Sequence, residues 1–339
     1  MTALRASLFL TTQPGWAFAT LVELRNLGFP GRPSLHHRDS SILVRDAASL
    51  VFGRMATPAT TYGCLAVGRK GRQGDATVEL GHRLDAPTFK RDVLEWLPRA
   101  DRGSLRSYSL ETESWGETQL SRREIADQIE AAIHQRFPRW RRSSGNGLRF
   151  YYKADPGTAI LGVQLYSNLD RDGGLPGSLR WHLACGLLTV AGARPGAPVF
   201  DPFMGTGTIL KAAREEFGVT NCLGLEIDEQ AFSVARQDLD VPGVLLTNDS
   251  FKAFDAGSLP KGARLVSNVP FGVRFPEVPT SELLEMLTDA RIDASHLALL
   301  MARQQAKDVT RALHLRSQSV LVLGQPASIV YGRQPVSAA

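Results

Sequence analysis

Long apolar runs are missing from this chain of 339 residues. The longest, near Leu297–Ala302, has the length of a strand, whereas a membrane-spanning helix needs roughly 18 apolar residues. The apolar segment Leu8-Phe9-Leu10 near the N-terminus is interrupted at once by Thr11-Thr12-Gln13-Pro14-Gly15, so it is too short to be the core of a signal peptide. We therefore expect a soluble cytoplasmic protein that does not bind membranes.

Cysteine is scarce, and histidine is not clustered. The cysteines Cys64, Cys185 and Cys222 stand singly among apolar neighbours, and the one adjacent histidine pair is His36-His37. Metal sites and nucleophilic dyads need such residues at defined spacings. The sequence thus predicts no metal site and no disulfide framework, which is typical of a reducing compartment.

Charge is unevenly distributed along the chain. Residues 1–165 carry a net charge of +7, and residues 166–339 carry −2. A basic half joined to a mildly acidic half favours contact of the first half with a polyanion.

The first half contains α+β patterns. Residues 1–60 alternate strand and helix signals, and 61–167 follow with further short elements. Ser121-Arg122-Arg123-Glu124 is a capping box that opens a helix, whose apolar face ends at Pro138. Directly after it stand Arg139, Trp140, Arg141 and Arg142, the combination expected for phosphate contact and base stacking on RNA.

The second half alternates strands and helices. A Gly/Asp-rich connector at 168–177 suggests a domain boundary, and Ser178 is predicted to cap the helix that follows. The later alternation predicts an α/β domain with a parallel, doubly wound sheet, closed by an antiparallel hairpin near residues 319–330. This order is similar to that of Rossmann-like methyltransferases.

One stretch, residues 199–210 (VFDPFMGTGTIL), predicts a strand that turns into a helix whose N-terminus faces a ligand. A P-loop would need a lysine after the glycines, and a dinucleotide site would need a third glycine where Leu210 stands. S-adenosylmethionine (SAM) fits better, because its amino-acid moiety needs close backbone approach and an acid for its ammonium group. The predicted cofactor-binding residues are Asp201, Gly205, Thr206, Gly207, Thr208, Glu226, Ile227, Asp249 and Ser250.

Each of these residues has a predicted role. Asp201 would bind the ammonium group and Glu226, at the end of the next strand, the ribose diol. Ile227 would lie against the adenine, and Asp249, in the turn with Ser250, would accept from its amino group. Asp228 is predicted to cap the following helix instead.

A second motif, Asn268-Val269-Pro270-Phe271, follows a later strand. It resembles the Asn/Asp-Pro-Pro-Tyr/Phe motif of SAM-dependent methyltransferases that modify exocyclic amino groups, with Val269 in place of the first proline. In that chemistry the Asn268 oxygen and the Val269 carbonyl would accept hydrogen bonds from the amino group, aiming the nitrogen lone pair at the methyl. Phe271 would stack on a flipped base.

Together, the DPFMGTGT motif at 201–208, the NVPF motif at 268–271 and Gly177-Ser178-Leu179-Arg180 resemble THUMP-domain-containing tRNA guanine-N2 methyltransferases. That resemblance implies a ferredoxin-like unit at 1–60, a THUMP-like RNA-binding domain at 61–167 and a Rossmann-fold catalytic domain at 168–339. It further implies a monomeric enzyme that forms N2-methylguanosine near the tRNA acceptor stem. Other amino acceptors (guanine in ribosomal RNA, adenine N6 in DNA, protein glutamine) and a non-catalytic RNA-binding protein remain alternatives.

Overall fold

The computed structural model describes most of the chain. The described residues are 7–36, 40–45, 47, 55–70, 76–96, 106–116, 118–144, 147–171, 178–255, 257, 259–271, 277–289 and 296–332. Contacts divide the chain into one unit of Met1–Thr12 with Arg25–Ser167 and a second of Gln13–Leu24 with Asn168–Ala339. Residues 172–177 of the predicted connector lie outside the described residues. The division into three domains stays a prediction.

The described strands of the first unit form one mixed sheet. They are β1 Leu8–Thr11, β2 Ser34–His36, β3 Ser41–Val44, β4 Thr60–Arg69, β5 Ser107–Ser114, β6 Arg141–Arg142, β7 Leu148–Ala154 and β8 Thr158–Ser167. Their order is β2-β3-β1-β4-β8-β7-β5-β6, in which β5 runs parallel to β6 and β7 and the other pairs are antiparallel. Strand β4, which begins at the predicted boundary near residue 60, therefore pairs with strands on both sides of that boundary.

The described helices before residue 168 are α1 Ala17–Asn26, α2 Ala76–Leu84, α3 Phe89–Trp96 and α4 Arg122–Arg136. The capping box of α4 is confirmed, since the Ser121 hydroxyl accepts from the Glu124 N–H at 3.2 Å and the Glu124 carboxylate accepts from the Ser121 N–H at 2.7 Å. The predicted apolar face of this helix is buried.

Helix α1 was expected within an N-terminal α+β unit, but residues 13–24 cluster with the second unit. The Trp16 indole N–H donates to the Leu321 carbonyl at 3.1 Å, and the Leu321 N–H donates to the Pro14 carbonyl at 3.1 Å. The Phe18 ring stacks on Tyr331 at 5.6 Å. This segment is thus attached to the last described hairpin of the chain, although Trp16 and Leu321 are 305 positions apart in the sequence.

The second unit is an α/β sandwich. Its strands are β9 Val199–Asp201, β10 Cys222–Leu225, β11 Val244–Thr247, β12 Arg264–Asn268, β13 Leu297–Ala302, β14 Arg316–Val322 and β15 Gln325–Tyr331. Its helices after α1 are α5 Trp181–Ala191, α6 Thr208–Phe217, α7 Glu229–Leu239, α8 Thr280–Asp289 and α9 Arg303–Leu313.

Strand order in this unit is β11-β10-β9-β12-β13-β15-β14, and the first five strands are parallel. Strands β14 and β15 form the predicted antiparallel edge. The direction in which the chain builds the sheet reverses between β9 and β12, and in such folds ligands bind at the carboxyl ends of the strands beside this reversal. The two motifs identified in the sequence follow β9 and β12.

No helix in the described ranges is long and apolar enough to cross a lipid bilayer.

Candidate active site

The glycine-rich turn connects β9, which ends at Asp201, to α6, which begins at Thr208. Gly205 and Gly207 have φ angles of 55° and 79°, a region that favours glycine. A Cβ atom on Gly207 would lie 2.5 Å from Leu239 Cδ1, whereas one on Gly205 would meet nothing within 4 Å. Gly207 is therefore required by packing against α7, and Gly205 borders open space in which a ligand can approach the backbone.

Glu226 joins this turn to the neighbouring strand. Its Oε2 accepts from the Gly205 N–H and its Oε1 from the Asp228 N–H, both at 2.8 Å. Its backbone carbonyl accepts from the Asn248 side-chain amide at 2.8 Å. The ends of β9, β10 and β11 are thus held together by Glu226, and the remaining lone pairs of its carboxylate can accept from a diol.

The residues predicted to face the adenine lie just beyond β10 and β11. Ile227 is 74% exposed, which is unusual for an isoleucine and leaves an apolar surface for a ring. Asp249 is exposed, and its Oδ1 accepts from the Ser250 N–H at 2.6 Å. Asp228 caps α7 as predicted, because its Oδ1 accepts from the Ala231 N–H at 2.7 Å.

Asp201 is buried, with 1% of its surface exposed. Its Oδ1 accepts from the Ser267 hydroxyl at 2.5 Å and from the Phe203 N–H at 3.1 Å. Burial raises the pKa of Asp201 to about 7, and the nearby Glu226 charge adds to the rise, while the two hydrogen bonds oppose it. A buried carboxyl of this kind becomes fully ionised when a cation binds beside it.

Asn268 ends β12, and its Oδ1 is buried without a hydrogen-bond partner among the described residues. Most buried polar atoms are paired, so this oxygen is a candidate acceptor for a ligand N–H. The Val269 N–H donates to the Leu300 carbonyl at 2.9 Å, and the Val269 side chain is fully buried. Pro270 and Phe271 are half-buried.

Two serines at this site were missed or misassigned from the sequence. Ser178 is not the helix cap, because α5 begins at Trp181 with Arg180 as the N-cap residue. Instead, the Ser178 and Thr206 hydroxyls are hydrogen-bonded at 3.0 Å, which places Ser178 against the glycine-rich turn. Ser267 gave no signal beyond its position before Asn268, although strand register at the reversal point would have brought it near Asp201.

The predicted RNA-contacting residues fall into two groups. Arg139, Arg141 and Arg142 are exposed. The Arg142 guanidinium pairs with Glu130, and the Arg141 Nη1 donates to the Pro138 and Trp140 carbonyls at 3.0 and 3.1 Å. Trp140 departs from the prediction: its ring is 7% exposed and stacks on Phe137 at 4.2 Å, so it is part of the core and offers no face to a base.

No group of three or more histidine, cysteine, aspartate or glutamate side chains in the described ranges is arranged to hold a metal ion.

The parallel sheet, the glycine-rich turn and the NVPF segment at the reversal point define the class of the second unit as a Rossmann-like, SAM-dependent methyltransferase domain. Residues 170–321 match the model of the UPF0020 family, described as an RMKL-like methyltransferase domain. This match confirms the predicted methyltransferase domain in the second half of the chain. The ferredoxin-like and THUMP-like assignments of residues 1–167 stay predictions.

Comparison with individual proteins agrees with the family match. Over 178 residues the chain is 32% identical to tRNA (guanine(6)-N2)-methyltransferase of Thermus thermophilus, an alignment that covers 50% of this chain and 52% of the relative. The match thus spans about half the length of that curated relative.

Two solved structures share the fold. TrmN from Thermus thermophilus has a TM-score of 0.70 at 22% identity and covers 96% of this chain and 98% of its own. The putative methyltransferase SMU.472, complexed with SAH, has a TM-score of 0.66 at 13% identity and covers 97% and 99%. At these identities the likeness shows the fold alone.

Proposed function

We propose that this protein transfers the methyl group of SAM to the N2 amino group of a guanosine in tRNA. The proposal depends on the buried Asn268 Oδ1, which has no hydrogen-bond partner among the described residues. Asn268 ends β12, and the hydrogen bond from Ser267 to Asp201 joins this strand end to the start of the glycine-rich turn. The 32% identity to a tRNA guanine-N2 methyltransferase supports the choice of acceptor.

The residues around the glycine-rich turn fit SAM. The Asp201 carboxyl would receive the ammonium group, and the open space beside Gly205 would admit the methionyl moiety, with Thr206, Gly207 and Thr208 forming the rest of the turn. The Glu226 carboxylate would accept from the ribose hydroxyls. The adenine would be covered by Ile227 and approached by Asp249 and Ser250. When bound, SAM supplies an electrophilic methyl group on a positively charged sulfur.

The acceptor would be held by the NVPF segment. A guanine amino nitrogen is a weak nucleophile because its lone pair is delocalised into the ring. Acceptance of its two N–H groups by Asn268 Oδ1 and the Val269 carbonyl would localise that lone pair and orient it. Phe271 would stack on the flipped base, a contact worth about 1–3 kcal/mol, and Pro270 would fix the turn between them. The rate enhancement would come chiefly from positioning.

Residues 1–167 are the proposed RNA-binding part, near the acceptor stem of the tRNA. The net charge of +7 on residues 1–165 and the exposed Arg139, Arg141 and Arg142 support this role through phosphate contact. Trp140 is left out of the interface because it is buried. Reversing the charge of Arg139, which is exposed, should weaken tRNA binding and leave SAM affinity unchanged.

The test is a methylation reaction with purified protein, SAM and an unmodified tRNA transcript, followed by mass spectrometry of the nucleosides. We expect N2-methylguanosine with the wild type, loss of at least about a hundredfold in rate with Asn268→Ala, and an unchanged calorimetric affinity for SAM. Asn221→Ala, an exposed asparagine in the loop before β10, is the matched control and should keep full activity.

The same reaction separates the alternatives. Methyl transfer to ribosomal RNA, DNA adenine or a protein glutamine, with none to tRNA, would overturn the tRNA assignment but keep the methyltransferase. Binding of SAM and tRNA without any transfer would instead indicate a non-catalytic RNA-binding protein.

A further inference from the structure

The cofactor turn and the acceptor motif are joined at one point by side chains. Strands β9 and β12 pair through Val199 with Arg264 and Phe200 with Leu265, where the backbone ladder between them ends. The next position of β9 is Asp201, followed by Pro202, which has no N–H to continue a ladder. Beyond this point, the bond from the Ser267 hydroxyl to Asp201 Oδ1 joins the two strand ends.

This bond lies in the interior of the domain. Ser267 has no exposed surface and Asp201 is 1% exposed, so water does not compete for either group. On its other side, β12 is fixed to β13 by pairing that continues through Asn268 and Leu300 and by the Val269 N–H bond to Leu300. The end of β12 at Asn268 is therefore held on one side by backbone pairing with β13. On the other side it is held by the single side-chain hydrogen bond from Ser267 to Asp201.

We propose that Ser267 is a positioning residue that couples binding of the SAM ammonium group at Asp201 to the placement of Asn268 against the acceptor base. The inference rests on the proposed function. A hydroxyl donates a stronger hydrogen bond to a carboxylate than to a neutral acid. When the ammonium group stabilises the carboxylate of Asp201, the bond from Ser267 strengthens and fixes the end of β12, on which Asn268 is the next residue. Cofactor binding thereby prepares the acceptor site.

The coupling predicts a pH dependence for SAM binding. The groups that act on Asp201 are the Ser267 hydroxyl on β12, the Phe203 N–H in its own turn and the Glu226 carboxylate after β10. Burial raises the pKa of Asp201 most, the two hydrogen bonds lower it, and the Glu226 charge raises it further. Removal of the Ser267 hydroxyl would therefore shift the midpoint of SAM binding to higher pH.

The experiment compares wild type, Ser267→Ala and the control Ser328→Ala, a buried serine on β15 away from the cofactor turn. Calorimetry with SAM from about pH 5.5 to 7.5 gives the pH profile, and single-turnover reactions with tRNA give the rate. For Ser267→Ala we expect affinity for SAM at about pH 7 to fall about tenfold, as for loss of a hydrogen bond to a charged group. We also expect an upward-shifted pH midpoint and a lower rate at saturating tRNA, with tRNA affinity in the absence of SAM unchanged.

A second pair of variants separates positioning from packing. Ser267→Thr and Ser267→Val have nearly the same shape, and threonine alone keeps a hydroxyl. Recovery of the pH midpoint and rate in the threonine variant, but not in the valine variant, would support the proposal. Equal behaviour of these two variants, or a Ser267→Ala pH profile that matches that of Ser328→Ala, would overturn the role of Ser267. The proposed function would still stand if the wild type binds SAM and methylates tRNA. Absence of SAM binding by the folded wild type would overturn both.

Discussion

The Glu226 carboxylate accepts a hydrogen bond from the backbone N–H of Gly205 at 2.8 Å, across the space between β10 and the glycine-rich turn. One side chain therefore shapes the cofactor turn before any ligand is present. Its other oxygen accepts from the Asp228 N–H, so neither oxygen is free to rotate away from the turn. A ribose diol would meet a carboxylate that is already fixed in place, which lowers the ordering cost of binding.

Glu226→Gln should weaken SAM binding by about ten- to a hundredfold. A glutamine has one acceptor oxygen, so its NH₂ group would face one of the two backbone N–H donors that the carboxylate now satisfies. Calorimetry of SAM binding measures the loss. Glu229→Gln, an exposed change in the first turn of α7, is the control and should bind SAM as the wild type does. A Glu226→Gln variant with wild-type affinity would refute the assigned role.

The two glycines of the turn should respond differently to alanine. Both have positive φ, which costs an alanine about 1–2 kcal/mol. Gly207→Ala adds a clash with Leu239 and should lower the free energy of unfolding by about 2–4 kcal/mol in total. The Cβ atom added by Gly205→Ala meets no protein atom, so only the cost of the positive φ should be lost from the free energy of unfolding. This variant should nevertheless reduce SAM affinity at least about tenfold, because its methyl group faces the ligand. Denaturant titration and calorimetry give the two quantities, and the reverse pattern would contradict the ligand-facing position of Gly205.

Asp201 should make the ligand-free protein less stable as pH rises. Burial raises its pKa to about 7 from an ordinary value of 3.8, so between these values the folded state holds a proton that the unfolded chain has released. The contribution of Asp201 to the free energy of unfolding is therefore at its maximum below about pH 4 and is lost as the pH rises through about 7. Asp201→Asn should therefore reduce the decline in unfolding free energy between about pH 5 and 8, by on the order of 1–3 kcal/mol, and should weaken SAM binding. An unchanged decline in urea titrations would show that Asp201 titrates normally.

Local sequence patterns predicted those parts of the site that are formed by one short, continuous segment of the chain. Residues 199–217 contain an acid, two glycines and then an apolar helical repeat within about 20 residues, and this pattern predicts a strand, a turn and a helix. The α7 cap at Asp228 and the α4 capping box are equally local, and all of these predictions are confirmed.

Long-range packing decided what the sequence could not predict. Trp140 looked like a surface aromatic because arginines flank it, yet it folds back on Phe137 three residues earlier. Helix α1 packs on a hairpin near the other end of the chain, and no local pattern encodes such a pairing. Ser178 suits a cap by residue type, but its hydroxyl bonds with Thr206, 28 residues on.

The hairpin formed by β14 and β15 contains a residue with a strained backbone, and a substitution can remove that strain. Its two-residue turn is Leu323-Gly324, with φ angles of 50° and 81°, and Leu323 is 59% exposed. Asparagine tolerates positive φ far better than leucine and is favoured in this kind of turn. Leu323→Asn should raise the free energy of unfolding by about 0.5–1 kcal/mol, measured by thermal or denaturant unfolding, with SAM binding unchanged. A loss of stability would show that the Leu323 side chain contributes packing that outweighs the strain.

The proposed reaction is methylation of guanosine N2 in tRNA. Nucleoside mass spectrometry of total tRNA from the source organism, with and without the gene, tests it most directly because base, atom and RNA class are read together. We expect N2-methylguanosine in tRNA to fall when the gene is deleted, to return with the wild-type gene and to stay low with the Asn268→Ala allele. Unchanged N2-methylguanosine in tRNA, or loss of a methyl group from another atom or another RNA, would contradict it.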